Sequence, residues 1–297
     1  MLLAIDIGNT EVTMGLFDGT DLRRSFRVSS ETRRTADEVE LLLRQAFPEL
    51  GDRKSRAIAR AGAQGIAQLR EDAQGHAAIV GSVVPAQTPI YLDAAKRMTL
   101  GEPLLVTAAT TARVKIEYRD PESAGADRIA NAVAAFDRYG APAIVVDFGT
   151  ATTFDVLLKG RRYRGGVIAP GILTGAEHLV RRAARLSAFE LKPPRRVVGR
   201  TTEESLQSGV FYGAVGQVDA IVRRIAAEEK IQPKVIATGG LAAVIAAHSE
   251  TIQEVDPDLT LHGLRLIHHR HGPRHGPRHG QSHGRGHGPR KSKPRRQ

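Results

Sequence analysis

Asp6-Ile7-Gly8-Asn9-Thr10 and, 141 residues later, Asp147-Phe148-Gly149-Thr150-Ala151 are the stretches on which the fold turns. Each follows a short apolar run, Leu2–Ile5 in one case and Ala143–Val146 in the other. Each leads into a second run (Val12–Phe17 or Thr152–Leu158), a turn (Asp18-Gly19 or Lys159-Gly160) and a third run (Leu22–Val28 or Tyr163–Ala169). Apolar runs of this length, bounded by Gly and Asp, read as strands joined by hairpins. At the 141-residue offset Leu16 falls on Leu157 and Gly19 on Gly160 without a gap. One Asp-apolar-Gly-polar turn is common. Two at the same point of two strand–turn–strand units indicate an internal repeat.

Helices fill the space between the strands. Thr35-Ala36-Asp37-Glu38 has the form of a capping box and opens a helix with Val39, Leu42, Leu43 and Ala46 on one face. The Arg/Ala/Gly/Gln-rich stretch from Gly51 to Gly75 reads as a partly helical excursion, and Ala77–Val80 as a returning strand before the Pro85/Pro89 turn into a helix. Further helices are expected after Gly125, after Thr202, over Leu241–Ala247 behind the strand Val235–Ala237, and over Asp258–Ile267. Strands alternating with helices predict α/β layers. The halves divide near Asp120-Pro121, giving one domain over 1–120, a second over 121–267 and a tail over 268–297.

The tail accounts for the charge. The chain of 297 residues carries +11, but His268–Gln297 holds nine Lys+Arg and no acid, leaving 34 basic against 32 acidic groups in the body. The body is therefore close to neutral, and basicity does not mark the fold as nucleic-acid binding. Histidines 271, 275, 279, 283 and 287 recur every four residues among Gly and Pro, a density that forbids a helix and predicts disorder. A solubilising role, binding of polyanions and adventitious metal binding all remain open for it. With no cysteine, disulfides, thiolate metal sites and thiol catalysis are excluded. Asp6 cuts the N-terminal apolar run short without a basic region before it, and no long apolar span occurs. A cytoplasmic protein without a membrane segment is expected.

No Gly-Lys pair exists for a P-loop, and no Gly-x-Gly-x-x-Gly follows a strand, so phosphate would have to be held otherwise. The two Asp-Gly turns offer a way. Gly8 and Gly149 let backbone N–H groups approach a phosphate, Asn9, Thr10, Thr150, Thr152 and Thr153 add donors, and Asp6 and Asp147 at strand ends can hold a hydrated cation. A hairpin turn with a solvated Asp is the plainer alternative for either one alone. Asp127, in Gly125-Ala126-Asp127-Arg128, falls in the first turn of a helix, where the dipole alone favours an acid by about 0.3–1 kcal/mol. A chemical role needs it to face the cleft, with Arg128 beside it for an anionic group. In Thr238-Gly239-Gly240 two glycines leave room for a flat ligand against backbone, or merely turn the chain.

Asp6–Thr10, Gly125–Arg128, Val146–Thr153, Gly165–Gly171 and Thr238–Gly240, in that order, together resemble the type III pantothenate kinase pattern. The closing Asp256–Leu266 segment is similar too, so the likeness spans roughly residues 1–267. The resemblance implies two ribonuclease-H-like domains of the actin-like ATPase type around an interdomain cleft. It implies a homodimer that phosphorylates pantothenate with ATP, Mg²⁺ and a monovalent cation, K⁺ or NH₄⁺. Carried over by motif, Asp6, Ile7, Gly8, Asn9, Thr10, Glu11, Val12 and Thr13 would hold the ATP phosphates, with Asp6 a possible Mg²⁺ ligand. Thr150 would contact ATP, and Asp147 would bind the monovalent ion. Asp127 would be the proton acceptor within a pantothenate-binding run of Gly125, Ala126, Asp127 and Arg128, joined by Tyr118 and Thr202. Glu11 departs from the pattern, which usually has Asn there, and adds negative charge near the triphosphate; Thr174 lies in a segment, Ile172–Gly175, that is usually more Gly/Ser-like in that pattern. Two other readings stay open: a catalytically silent relative with a polyanion-binding tail, and another actin-fold kinase or hydrolase.

Overall fold

A computed structural model describes residues 1–51, 77–99, 101–111, 114–182 and 190–271. Two mixed sheets carry the fold. The first has strand order β3-β2-β1-β4-β5, from β1 (Leu2–Ile7), β2 (Glu11–Asp18), β3 (Asp21–Ser29), β4 (Ala77–Ser82) and β5 (Leu104–Leu105). The second runs β11-β10-β7-β8-β9-β6, from β6 (Lys115–Ile116), β7 (Ala143–Phe148), β8 (Ala151–Leu158), β9 (Arg162–Pro170), β10 (Lys234–Gly239) and β11 (Glu254–Val255). In each, an antiparallel three-stranded meander is extended by a strand parallel to its first member.

Strand alternation builds five layers. On β1, Leu3, Ile5 and Ile7 point outward with Val12, Met14 and Leu16, under α1 (Ala36–Ala46) and α2 (Thr88–Met98). Leu2 and Ala4 point inward, as do Ala143 and Val145 of β7. Between these inner faces lie α3 (Ala126–Arg138) and α7 (Leu259–His271), packed on each other, with α7 crossing β1, β2 and β4. Buried on nearly every side, α3 is rich in alanine, which lets both sheets close on it. The outer face of the second sheet is covered by α4 (Ile172–Arg182), α5 (Thr202–Glu228) and α6 (Ala242–Ala246). The capping box of α1 forms as expected: Glu38 N–H donates to Thr35 Oγ1 at 3.3 Å, and Thr35 N–H to Glu38 Oε2 at 2.7 Å.

The repeat holds, with one correction. β1 matches β7, and β3 matches β9, at offset 141, but β2 (Glu11–Asp18) matches β8 (Ala151–Leu158) at offset 140. The register shift between Leu16 and Phe17 recurs between Val156 and Leu157. The second Asp-Gly turn is one residue shorter than the first, and the following hairpin one longer, so the two changes cancel in an ungapped comparison. The structural counterparts are therefore Leu16 with Val156, and Thr10 with Thr150. A second difference concerns α7, which runs to His271 rather than ending near Ile267: the breaking Gly272-Pro273 comes later, and Arg270 reaches Asp137 of α3 at 3.3 Å. The excursion expected over 53–75, and the tail beyond His271, lie outside the described residues.

Candidate active site

Asp6 continues the inward row Leu2, Ala4 at the end of β1, and Asp147 the row Ala143, Val145 at the end of β7, so alternation aims both at the central helices. Asp127 stands in the first turn of α3, between them. Burial raises all three carboxyl groups above the ordinary carboxylate range. For Asp6 desolvation leads, and the charges of Asp127 and Asp147 add to it. For Asp127 desolvation outweighs its hydrogen bond from the Arg128 N–H and the Arg128 charge. Asp147 is pushed up to about 7 by burial and by Asp127, against the Asn131 hydrogen bond. Glycines make room for these groups. A Cβ at Gly125 would sit 2.5 Å from Asp127 Oδ1, and one at Gly239, whose φ is +90°, 2.6 Å from Asp147 Oδ1. Among the described residues no three His, Asp or Glu form a ready-made metal-ligand set.

The two turns face each other. Gly8 N–H donates to Glu11 O at 3.0 Å and Gly149 N–H to Ala151 O at 3.1 Å, while the counterpart hydroxyls Thr10 Oγ1 and Thr150 Oγ1 meet at 2.7 Å. Ser30 braces the first turn through Gly8 O (2.7 Å) and Thr10 O (2.8 Å); Thr174 Oγ1 braces the second by donating to Thr150 O at 3.1 Å. Thr174 thus has a local task. Glu11 is exposed and lies 3.6 Å from Arg27 of β3, a cation that offsets its charge weakly, as solvated pairs do. Val12 is buried under the first sheet, and Thr13 pairs across with Asp6, as Thr153 does with Asp147.

Arg128 points from α3 into the second sheet. Its Nε donates to Asp155 Oδ1 at 2.7 Å, and Tyr163 OH donates to the same oxygen at 2.7 Å. Tyr118 stacks on Tyr163 with centroids 5.5 Å apart, and the guanidinium carbon lies 5.9 Å from both ring centres. Gly125, Ala126 and Arg128 flank Asp127 in sequence, and Tyr118 lies against the Arg128 guanidinium, whereas Thr202 is exposed at the start of α5 and, among the described residues, has no hydrogen bond to this cluster. Four further residues belong here. Asn131 Nδ2 donates to Asp147 Oδ2 at 2.9 Å and is itself held by Thr260 Oγ1 at 2.7 Å; Asp155 and Tyr163 hold Arg128. Asn131 was within reach of sequence reasoning, being one helical turn after Asp127. A lone Asp in the apolar run Phe154-Asp155-Val156 was a signal as well.

Two repeated α/β sheets, each bringing an Asp-Gly turn to the central helices beside a third aspartate, have the architecture of the actin-like ATPase fold class. A family model described as type III pantothenate kinase matches residues 2–224. A Geobacter sulfurreducens type III pantothenate kinase is 42% identical over 274 residues, covering 91% of this chain and 99% of the relative. That of Anaeromyxobacter sp. strain K is 44% identical over 270 residues, with 91% and 99% covered. Among solved structures, one described as a Baf family transcriptional activator from Campylobacter jejuni superposes with TM-score 0.53 at 19% identity, over 90% of this chain and 97% of that one, a likeness of fold. The chain belongs to the type III pantothenate kinase family, and it phosphorylates pantothenate in coenzyme A biosynthesis.

Proposed function

We propose that phosphoryl transfer takes place between the two Asp-Gly turns, with Asp127 accepting the proton of the pantothenate hydroxyl. The convergence of Asp6, Asp127 and Asp147 on one helix end carries this reading. The turn Asp6–Thr13 and Thr150 cradle the ATP phosphates with backbone N–H groups and hydroxyls. Pantothenate lies against Gly125–Arg128 and Tyr118, its carboxylate toward Arg128. Transfer of this kind needs positioning and charge neutralisation more than covalent chemistry. Asp127 needs only to be aligned with the hydroxyl as its proton leaves late, and a carboxyl raised by burial is a better base than one at about 3.9.

Three clustered acids beside a triphosphate call for cations. The oxygen donors here suit hard ions. Asp6 is the candidate contact for ATP-bound Mg²⁺. Asp147 is the candidate ligand of K⁺ or NH₄⁺, and the hydroxyl of Thr153, its cross-strand neighbour, lies buried with no hydrogen-bond partner among the described residues. A bound monovalent ion would supply positive charge that keeps Asp147 ionised and lets Thr150 face ATP. Assembly as a homodimer is supported by the exposed apolar side chains Ile168, Leu173, Leu179, Val197 and Val198, and by the open surface at Gly209, Gly213 and Gly216 of α5. Such a partner would cover the region around Thr202. From its family we assign the enzyme to the cytoplasm; among the described residues no helix is long and apolar enough to cross a membrane.

The test is ATP consumption on adding pantothenate, with and without K⁺, alongside light scattering. Pantothenate-dependent turnover that collapses in K⁺- and NH₄⁺-free buffer, from a dimer, is the expected result. Full activity without either cation would leave Asp147 a turn residue, and a fully active monomer would remove the dimer.

A further inference from the structure

Asp155 is fully buried in the middle of β8, and the guanidinium it meets is 9% exposed. A buried Arg–Asp pair is seldom worth more to stability than a well-packed apolar pair of the same volume. This one is also unfinished. Asp155 Oδ1 receives Arg128 Nε and Tyr163 OH, yet among the described residues Asp155 Oδ2 has no hydrogen bond. Arg128 Nη2 lies 2.6 Å from Oδ1 on the same side, but is not aligned to donate to it and has no other hydrogen-bond partner among the described residues. Gripped along its Nε side, a guanidinium keeps its other edge for a second planar acceptor. The rings of Tyr118 and Tyr163 fix its plane, and Gly166 makes room for it: a Cβ there would stand 2.8 Å from Nη2.

We propose that Asp155, with Tyr163, is a positioning residue that acts through Arg128, holding the guanidinium so that its open edge meets the carboxylate of the acceptor. This rests on the reading of Arg128 as part of the pantothenate site. Neither Asp155 nor Tyr163 touches substrate in this arrangement. Their contribution is that Arg128 does not have to be ordered each time an acceptor binds, a cost that would otherwise weaken binding.

Steady-state kinetics on the full chain, with KM measured separately for pantothenate and ATP, distinguish this from a purely structural role. Asp155→Asn should raise the pantothenate KM by about ten-fold or more and Tyr163→Phe by about three-fold to ten-fold, with kcat and the ATP KM within about two-fold. In an Arg128→Lys background, Asp155→Asn should add less than about two-fold, because its effect runs through Arg128. Equal rises in both KM values, or effects that multiply in the double variant, would overturn the proposal. If Asp155→Asn does not fold, Tyr163→Phe, which keeps the ion pair, carries the test. The Nε–H resonance of Arg128 gives a readout without turnover. Slow exchange in the wild type that becomes fast in Tyr163→Phe supports the brace, and exchange as fast as at exposed arginines in the wild type refutes it. A wild type that ignores pantothenate would instead fail the functional reading, leaving the brace to the resonance.

Discussion

A carboxylate surrounded by water gives up its proton too readily to take one from an alcohol, so the setting of Asp127 matters as much as its identity. Desolvation raises its pKa, and the direction sets two expectations. Asp127→Asn should lower kcat by about 10²–10⁴-fold while leaving nucleotide affinity intact, and its pH–rate profile should lose the acidic limb of the wild type. A variant keeping more than a tenth of the turnover would remove Asp127 from the reaction. The second expectation concerns stability. A carboxyl whose pKa is raised by folding contributes stability below its unfolded value, and that contribution is lost as pH rises through the folded one. Thermal denaturation should therefore find Asp127→Asn more stable than wild type at neutral pH, the usual exchange of stability for a working site. At this scale the acids were legible because both turns and the helix start mark themselves with Gly. Tyr163 and Thr260 were not, because only tertiary packing brings them to Asp155 and Asn131.

Strands and helices were the most legible level, since two apolar faces alternating along β1 and β7 demand cover on both sides. The misplaced match of β2 with β8 has a physical cause. Side-chain alternation repeats every two residues, but Val156-Leu157-Leu158 is apolar throughout and hides which residues face inward, so a shift by one there leaves no mark. The extension of α7 was hidden by histidines that read as tail. Close packing of α7 on α3 depends on Gly263, where a Cβ would strike the Ala130 carbonyl. Gly263→Ala should then cost about 1–3 kcal/mol, seen as a lowered denaturation midpoint. An unchanged midpoint would mean that the two helices have slack. Thr35→Ala, removing the α1 cap, should cost about 1 kcal/mol and leave kinetics alone, which a pairing of urea titration with an activity assay would check.

For the molecule as a whole, the expectation is that catalysis needs the five layers and not the basic residues beyond them. Truncation after His271 should leave kcat unchanged and reduce retention on heparin or immobilised Ni²⁺; the heparin retention of the full chain should weaken steeply with salt. Lost turnover on truncation would tie those residues to the fold. The position of α7 also has a bearing on how the chain is made. Leu2, Ala4, Phe17 and Ile79 leave the ribosome early, yet Leu259, Leu261 and Leu264, which belong to the same apolar layer, come near the end. During synthesis the inner face of the first sheet therefore waits, wet and adhesive, for most of the translation time. Nascent chains halted before residue 259 should bind chaperones or aggregate, and release of the last helix should end that vulnerable interval and switch on the enzyme in the same event.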